Sequence, residues 1–182
     1  MQKKNLGKEF EQHIRDSLTN NTDNGYPFSI DRLPDPVGGY VAIRNICDFT
    51  GYRFPFSYFL ECKCTYGNTL NFKGAITTDQ WEGLTEKSKV FGTLAGFCVW
   101  FIDYDTTIFI PIQEMNRLRY EDNKKSLNIK DIDPEKVNYF NIEGKKNRVY
   151  FNYDHTKFVT NLENMCKSYW NIKEWSVKLN NE

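Results

Sequence analysis

Residues Ala95-Gly96-Phe97-Cys98-Val99-Trp100-Phe101-Ile102 form a run without a single charged side chain. In an extended strand alternate side chains leave opposite faces, so a run that is apolar on both has to be covered on both. This predicts a central strand with layers packed above and below it. The run is far shorter than the roughly 18 to 20 apolar residues that cross a bilayer, and no other stretch reaches that length. A soluble protein with no membrane partner is expected.

The elements around this strand follow in chain order. Leu6 to about Asn20 is helical by pattern, with Phe10, Ile14 and Leu18 at i, i+4 and i+8 forming an apolar stripe that Glu11 borders. Tyr26 to Leu33 reads as the strand that begins the sheet, and Pro34-Asp35-Pro36 ends it. Val37-Gly38-Gly39-Tyr40 then continues as an extended, flexible connection carrying Arg44. Ile46 to Thr50 and Phe54 to Cys64 read as a hairpin turning through Gly51-Tyr52 and broken at Tyr66-Gly67-Asn68. Thr77 and Gln80 stand at capping-box spacing before a second helix, with Trp81, Leu84, Ser88 and Phe91 along one face. After the apolar run come a strand from Thr107 to Ile112 and a short helix from Gln113 to Arg119. Asn138 to Ile142 and Arg148 to Tyr153 flank a predicted turn at Glu143 to Lys146, and Lys157 to Trp170 reads as an amphipathic helix.

A chain of 182 residues is long enough to bury a real core in one domain, 1–182. The core is expected over about 5 to 135, with a C-terminal hairpin and helix over about 136 to 175 as an appendage. The start, Met1-Gln2-Lys3-Lys4-Asn5, has no apolar signal region behind it, so a cytoplasmic location is expected. Five cysteines is an odd number without framework spacing, which predicts free thiols. Cys62 and Cys64 lack a second pair at ligand spacing, and His13 and His155 are the only histidines, so these cysteines read as small buried hydrophobes. The 24 basic and 24 acidic residues cancel, unlike the excess of many DNA-binding domains. A site that devotes acids to a metal, with a basic groove offset elsewhere, also sums to zero.

The chemistry centres on Phe56 to Lys63. Read as a strand, it sends Glu61 and Lys63 to one face and Tyr58, Leu60 and Cys62 to the other. If Asp48 lies on the paired strand, its carboxylate approaches Glu61, and two converging carboxylates with a lysine are the minimum outfit for metal-dependent phosphodiester cleavage. Hard oxygen ligands suit Mg²⁺, with Mn²⁺ as a substitute. The plain structural alternatives are an exposed Glu61–Lys63 ion pair on a solvent-facing strand and a helical Glu11 paired with Arg15. Gln80 is either the capping residue of its helix or a polar group aimed at the site. The order helix, strands, helix, strand, strand is an α/β pattern, a restriction-endonuclease-like core with a mixed central sheet flanked by helices.

Several segments resemble the RecU-type Holliday junction resolvases of the PD-(D/E)xK nuclease superfamily. Gly7-Lys8-Glu9-Phe10-Glu11-Gln12-His13-Ile14 is similar to that family's N-terminal Gly-x-x-x-Glu-x-x-Ile helix, and Pro34-Asp35-Pro36 to its Pro-Thr-Pro. Asp48-Phe49-Thr50-Gly51 resembles its Asp-Tyr-x-Gly, and Glu61-Cys62-Lys63 its Glu-x-Lys. Gln80 matches the glutamine opening the next helix, and Lys125-Ser126-Leu127 resembles Lys-Ser-Ile. In the family the connection after Pro-x-Pro is a longer stalk that engages the junction centre, and Val37 to Cys47 stands in its place here.

The resemblance implies a catalytic set of Glu11, Asp48, Glu61 and Lys63 with Gln80 in support. Asp48, Glu61 and the Cys62 carbonyl are the implied metal ligands, and Glu11 completes the shell through water. Lys8, Arg15, Arg32, Arg44, Lys73 and Lys125 are candidate phosphate contacts. The implied activity is Mg²⁺-dependent resolution of four-way DNA junctions in recombination and repair, by a homodimer whose two-fold axis delivers paired nicks. The alternatives are another PD-(D/E)xK nuclease of restriction, repair or flap type, and a non-catalytic DNA-binding protein on the same fold.

Overall fold

The computed structural model describes residues 6–19, 27–34, 45–148 and 150–172. Helix α1 (Leu6–Thr19) leads to strands β1 (Ser29–Arg32), β2 (Phe49–Arg53), β3 (Phe56–Thr65) and β4 (Thr69–Asn71). Helices α2 (Phe72–Ala75) and α3 (Thr78–Lys87) precede β5 (Thr93–Phe101) and β6 (Thr106–Pro111). Then come α4 (Ile112–Asn116), a π-helical turn over Arg117–Glu121, β7 (Ser126–Asn128) and β8 (Phe140–Asn141). β9 (Gly144–Asn147), β10 (Tyr150–Tyr153) and α5 (His155–Tyr169) complete the described chain.

The apolar run does lie inside the sheet, as its composition demands. Every residue of β5 is buried, in a six-stranded sheet of order β1-β2-β3-β5-β6-β8. β3 and β5 pair in parallel while the other neighbours are antiparallel, so the sheet is mixed and the class is α/β. Alternation divides β5 between two cores. Leu94, Cys98 and Trp100 pack with Phe10, Ile14 and Leu18 of α1 and Phe158, Val159 and Leu162 of α5. Ala95, Phe97, Val99 and Phe101 pack on the opposite face with Trp81 and Leu84 of α3 and Ile112 and Met115 of α4. Gly96 is where β6 crosses closely: an added Cβ would lie 2.4 Å from the Ile110 carbonyl oxygen and 2.8 Å from the Phe109 ring.

Four expected details differ. Gly51 does not turn the β2–β3 hairpin; the turn is at Phe54-Pro55 and Gly51 lies within β2, opposite Tyr58. An added Cβ there would come within 2.9 Å of the Phe28 ring, so the glycine serves close packing. Phe91 is not on the apolar face of α3, which stops at Lys87; it is 62% exposed and meets Trp170 edge-on at 5.2 Å. The residues before Glu143 join β6 as β8, and the C-terminal hairpin is β9 with β10 instead. Finally, α5 and Tyr153, placed by sequence in an appendage, cover one face of the sheet inside the core. The connection carrying Arg44, and Asp35 and Pro36 of Pro34-Asp35-Pro36, lie outside the described residues.

Candidate active site

Register brings the acids together. Phe49 of β2 is paired with Leu60 of β3, and the Asp48 N–H donates to the Leu60 carbonyl at 3.1 Å, so Asp48 stands across from Glu61. Residues directly opposite in an antiparallel pair share a face. The Cys62 N–H donates to Asp48 Oδ2 at 2.7 Å, which fixes the carboxylate against the β3 backbone. A strand residue's N–H and C=O leave the same edge, so the Cys62 carbonyl leaves β3 on the side of Asp48. Its thiol points the other way, into the α1 and α5 core, where burial raises its pKa well above the ordinary thiol value. A neutral thiol is no metal ligand.

Lys63 is two residues beyond Glu61 and shares its face; its Nζ lies 2.7 Å from Glu61 Oε1. The parallel step from β3 to β5 requires a crossover, and α3 provides it over this face. The first turn of α3 is held by a capping box: Thr77 Oγ1 accepts from the Gln80 N–H, and Gln80 Oε1 accepts from the Thr77 N–H at 3.1 Å. The same Gln80 side chain reaches the site. Oε1 also accepts from Lys63 Nζ at 3.2 Å, and Nε2 donates to Glu61 Oε1 at 2.5 Å. Gln80 therefore fills both roles that sequence left open.

Glu61 is 2% exposed, which removes the alternative of a solvent-facing ion pair. Its Oε1 has two partners, whereas among the described residues its buried Oε2 has no hydrogen-bond partner. Burial, followed by repulsion from Asp48, pushes the Glu61 pKa up to about 8 against the pull of Lys63. Asp48 is raised to about 6 by burial and then by Glu11, against the lowering effect of the Cys62 N–H. Glu11 Oε2 accepts from Arg32 Nε at 3.3 Å and Nη2 at 3.0 Å, so it is paired with β1 and not with Arg15. Among the described residues three carboxylates thus act on one another beside two cations, Lys63 and Arg32. A further cation held here would offset the repulsion that raises both pKa values.

Among the described residues no three His, Cys, Asp or Glu side chains form a metal-holding cluster. The donors that converge are two carboxylates and a strand carbonyl, hard oxygen ligands of the kind Mg²⁺ takes, and the orphaned Glu61 Oε2 is a free lone-pair donor among them. The residues present fit such an ion.

The expected phosphate contacts divide between two depressions. Lys8, Arg15 and Arg32 line a cleft of about 290 Å³ with Glu11. Lys73 and Lys125 line a separate groove beside α3, together with Arg119, Tyr120 and Lys124, which the sequence reading passed over. Their signal was available in the basic and aromatic interleaving of Arg117-Leu118-Arg119-Tyr120 ahead of Lys124-Lys125.

No family model matches the chain, and no curated protein matches it. Among solved structures it is similar to Hjc, a Holliday junction resolvase from the archaeal hyperthermophile Archaeoglobus fulgidus. The two share 18% identity over 59% of this chain and 78% of that one, with a TM-score of 0.41.

Proposed function

We propose that this protein is a divalent-metal-dependent DNA endonuclease, and that its substrate is branched DNA of the four-way-junction class. One observation carries the reading: Asp48 and Glu61 are cross-strand neighbours on one buried face with Lys63 beside them, and among the described residues Glu61 Oε2 has no partner. Carboxylates kept for packing alone would be paired on every oxygen or exposed to water.

Asp48, Glu61 and the Cys62 carbonyl would hold Mg²⁺ or Mn²⁺, which when bound supplies Lewis-acid charge to a scissile phosphate and acidifies water. Lys63 offsets negative charge developing on that phosphate and orients the attacking water. Gln80 keeps the Glu61 and Lys63 side chains in register by bonding both. Glu11, tied to Arg32, adds negative charge at the border and would complete the shell of a bound ion through water.

The junction substrate, a role in recombination and repair, and a C2 homodimer rest on the resemblance to RecU-type resolvases, whose motif residues include the five proposed catalytic positions. Among the described residues no helix is long and apolar enough to cross a membrane. The test is a gel assay on a synthetic four-way junction, a linear duplex, a flap and a single strand, each with and without Mg²⁺. Two symmetric nicks on the junction alone support the proposal, with sedimentation reporting a dimer. Cleavage of duplex or flap in preference leaves a nuclease of another class. Binding without cleavage in Mg²⁺ leaves a DNA-binding protein.

A further inference from the structure

Beside α3, which lends it Thr78, Trp81 and Glu82, lies a groove of about 1050 Å³. Lys73, Arg119, Lys124 and Lys125 line it, against a single acid, Glu82. Several arginines and lysines elsewhere are neutralised at short range: Arg32 by Glu11, Arg53 by Glu163, Arg117 by Glu114 and Asp122, Lys157 by Glu143. Among the described residues none of the four groove cations has an ion-pair partner. A chain whose charges cancel overall keeps uncancelled positive charge here, and polyanions are drawn to such a place.

The groove also offers flat surfaces. Trp81 is its buried floor, fixed by donating its ring N–H to Asn116 Oδ1 at 2.7 Å. The Arg119 guanidinium lies 4.4 Å from the Trp81 ring centre and 5.2 Å from that of Tyr120. Arg119 is exposed and Tyr120 is 61% exposed. Both are carried by the π-helical turn, in which the Asp122 N–H reaches back five residues to the Arg117 carbonyl at 3.0 Å. Such turns are rare and often mark functional positions.

An open aromatic ring, a guanidinium already stacked on one side, and unpaired ammonium groups around them match the needs of an unpaired nucleotide. The base takes a π-face and the phosphates take the lysines. Bases inside a duplex have their faces covered by neighbours and show only edges, so this surface discriminates for a base outside the stack. The groove adjoins the carboxylate site through consecutive residues: Gln80 bonds Glu61 and Lys63, and Trp81 floors the groove. We propose that this groove binds an unpaired nucleotide of the DNA substrate, giving the protein a preference for duplexes that adjoin an unpaired segment, such as strands opened at a branch point. Its position next to a scissile phosphate rests on the nuclease reading, whereas the stacking can be measured without cleavage.

The test is fluorescence anisotropy in EDTA, with a fluorescein-labelled duplex carrying a single-stranded arm and the same duplex blunt. The native protein is expected to bind the armed duplex about tenfold more tightly, within the range that base stacking on aromatic side chains gives. Tyr120→Ala should remove most of that preference and Tyr120→Phe should keep it; a melting curve shows that both fold. Lys124→Ala should weaken both DNAs alike and reduce the salt slope by about one. Equal affinity of the native protein for the two DNAs, or an undiminished preference in Tyr120→Ala, overturns the inference. A protein that prefers the arm but never cuts DNA in Mg²⁺ overturns the nuclease reading and leaves the groove standing. One that cuts without any arm preference does the reverse.

Discussion

Gln80 Nε2 donates to Glu61 Oε1 at 2.5 Å while the other end of the same amide caps α3, so one side chain joins a helix terminus to a buried carboxylate. Gln80→Ala is expected to lose the reciprocal half of the capping box, about 1 kcal/mol of stability. It also releases both Glu61 and Lys63, and the rate of cleavage should fall about 10- to 100-fold, as when groups that orient metal ligands are removed. Urea titration and single-turnover rates on one preparation separate the two effects. A stability loss with an unchanged rate would show that Gln80 is a cap only.

Asp48→Asn and Glu61→Gln should each abolish cleavage while DNA binding persists, because each removes metal-binding charge with little change in volume. Lys63→Ala should lower the rate by roughly 10²- to 10³-fold, the scale of losing one group that stabilises transition-state charge. Mg²⁺-dependent cleavage near the native rate by either carboxamide variant would falsify the site.

Both carboxylates have folded-state pKa values above their ordinary ones, about 6 for Asp48 and about 8 for Glu61. The folded protein therefore holds these protons more tightly than the unfolded chain does. Their contribution to stability is complete below about pH 4, the unfolded carboxylate range, and is lost as pH rises through 6 and then 8. In EDTA the native Tm should accordingly fall across that window relative to the Tm of Glu61→Gln. Mg²⁺ should raise the native Tm more at pH 8 than at pH 6, because the ion takes the place of the proton. A constant difference between native and variant melting curves from pH 4 to 8 would contradict a Glu61 whose pKa is raised by burial and by Asp48.

Glu11→Gln removes the repulsion that Glu11 exerts on Asp48 and Glu61, and weakens the half-exposed pair with Arg32. Stability should change by about 1 kcal/mol or less, as for other partly exposed ion pairs. Cleavage should drop about 10- to 100-fold if Glu11 completes the ligand shell. Melts and rates measured together decide it, and normal cleavage would reduce Glu11 to the partner of Arg32.

What could be seen in the sequence follows from what is local. The two faces of Phe56 to Lys63 were legible because strand alternation is decided within the strand, and the full burial of β5 was legible because its composition allows nothing else. The pairing of Asp48 with Glu61 is legible in the sequence, whereas the turn between them, at Phe54-Pro55, is not. Gly51 looks like a turn residue until the Phe28 ring, 23 positions away, is seen where its Cβ would be. Arg32 looked available to phosphate until Glu11, from a different element, was found on it. β8 has two residues, too few to show any period, and its place is set by Ile108 and Phe109 on a strand far earlier in the chain.

The strand that carries Glu61 and Lys63 also carries Tyr58, Leu60 and Cys62 into the opposite core, in strict alternation. A slip of one residue in β3 would bring three core side chains to the face of the carboxylates and push two charges into the apolar packing against α1 and α5. No partial displacement of the strand can thus detune the site while the body of the protein stays intact. The distance from Glu61 to Asp48 is held by the same cooperative transition that holds the fold. If the proposed nuclease reading holds, directed evolution of this chain toward other DNA structures is accordingly expected to leave β3 untouched and to work through the helices and turns that border it.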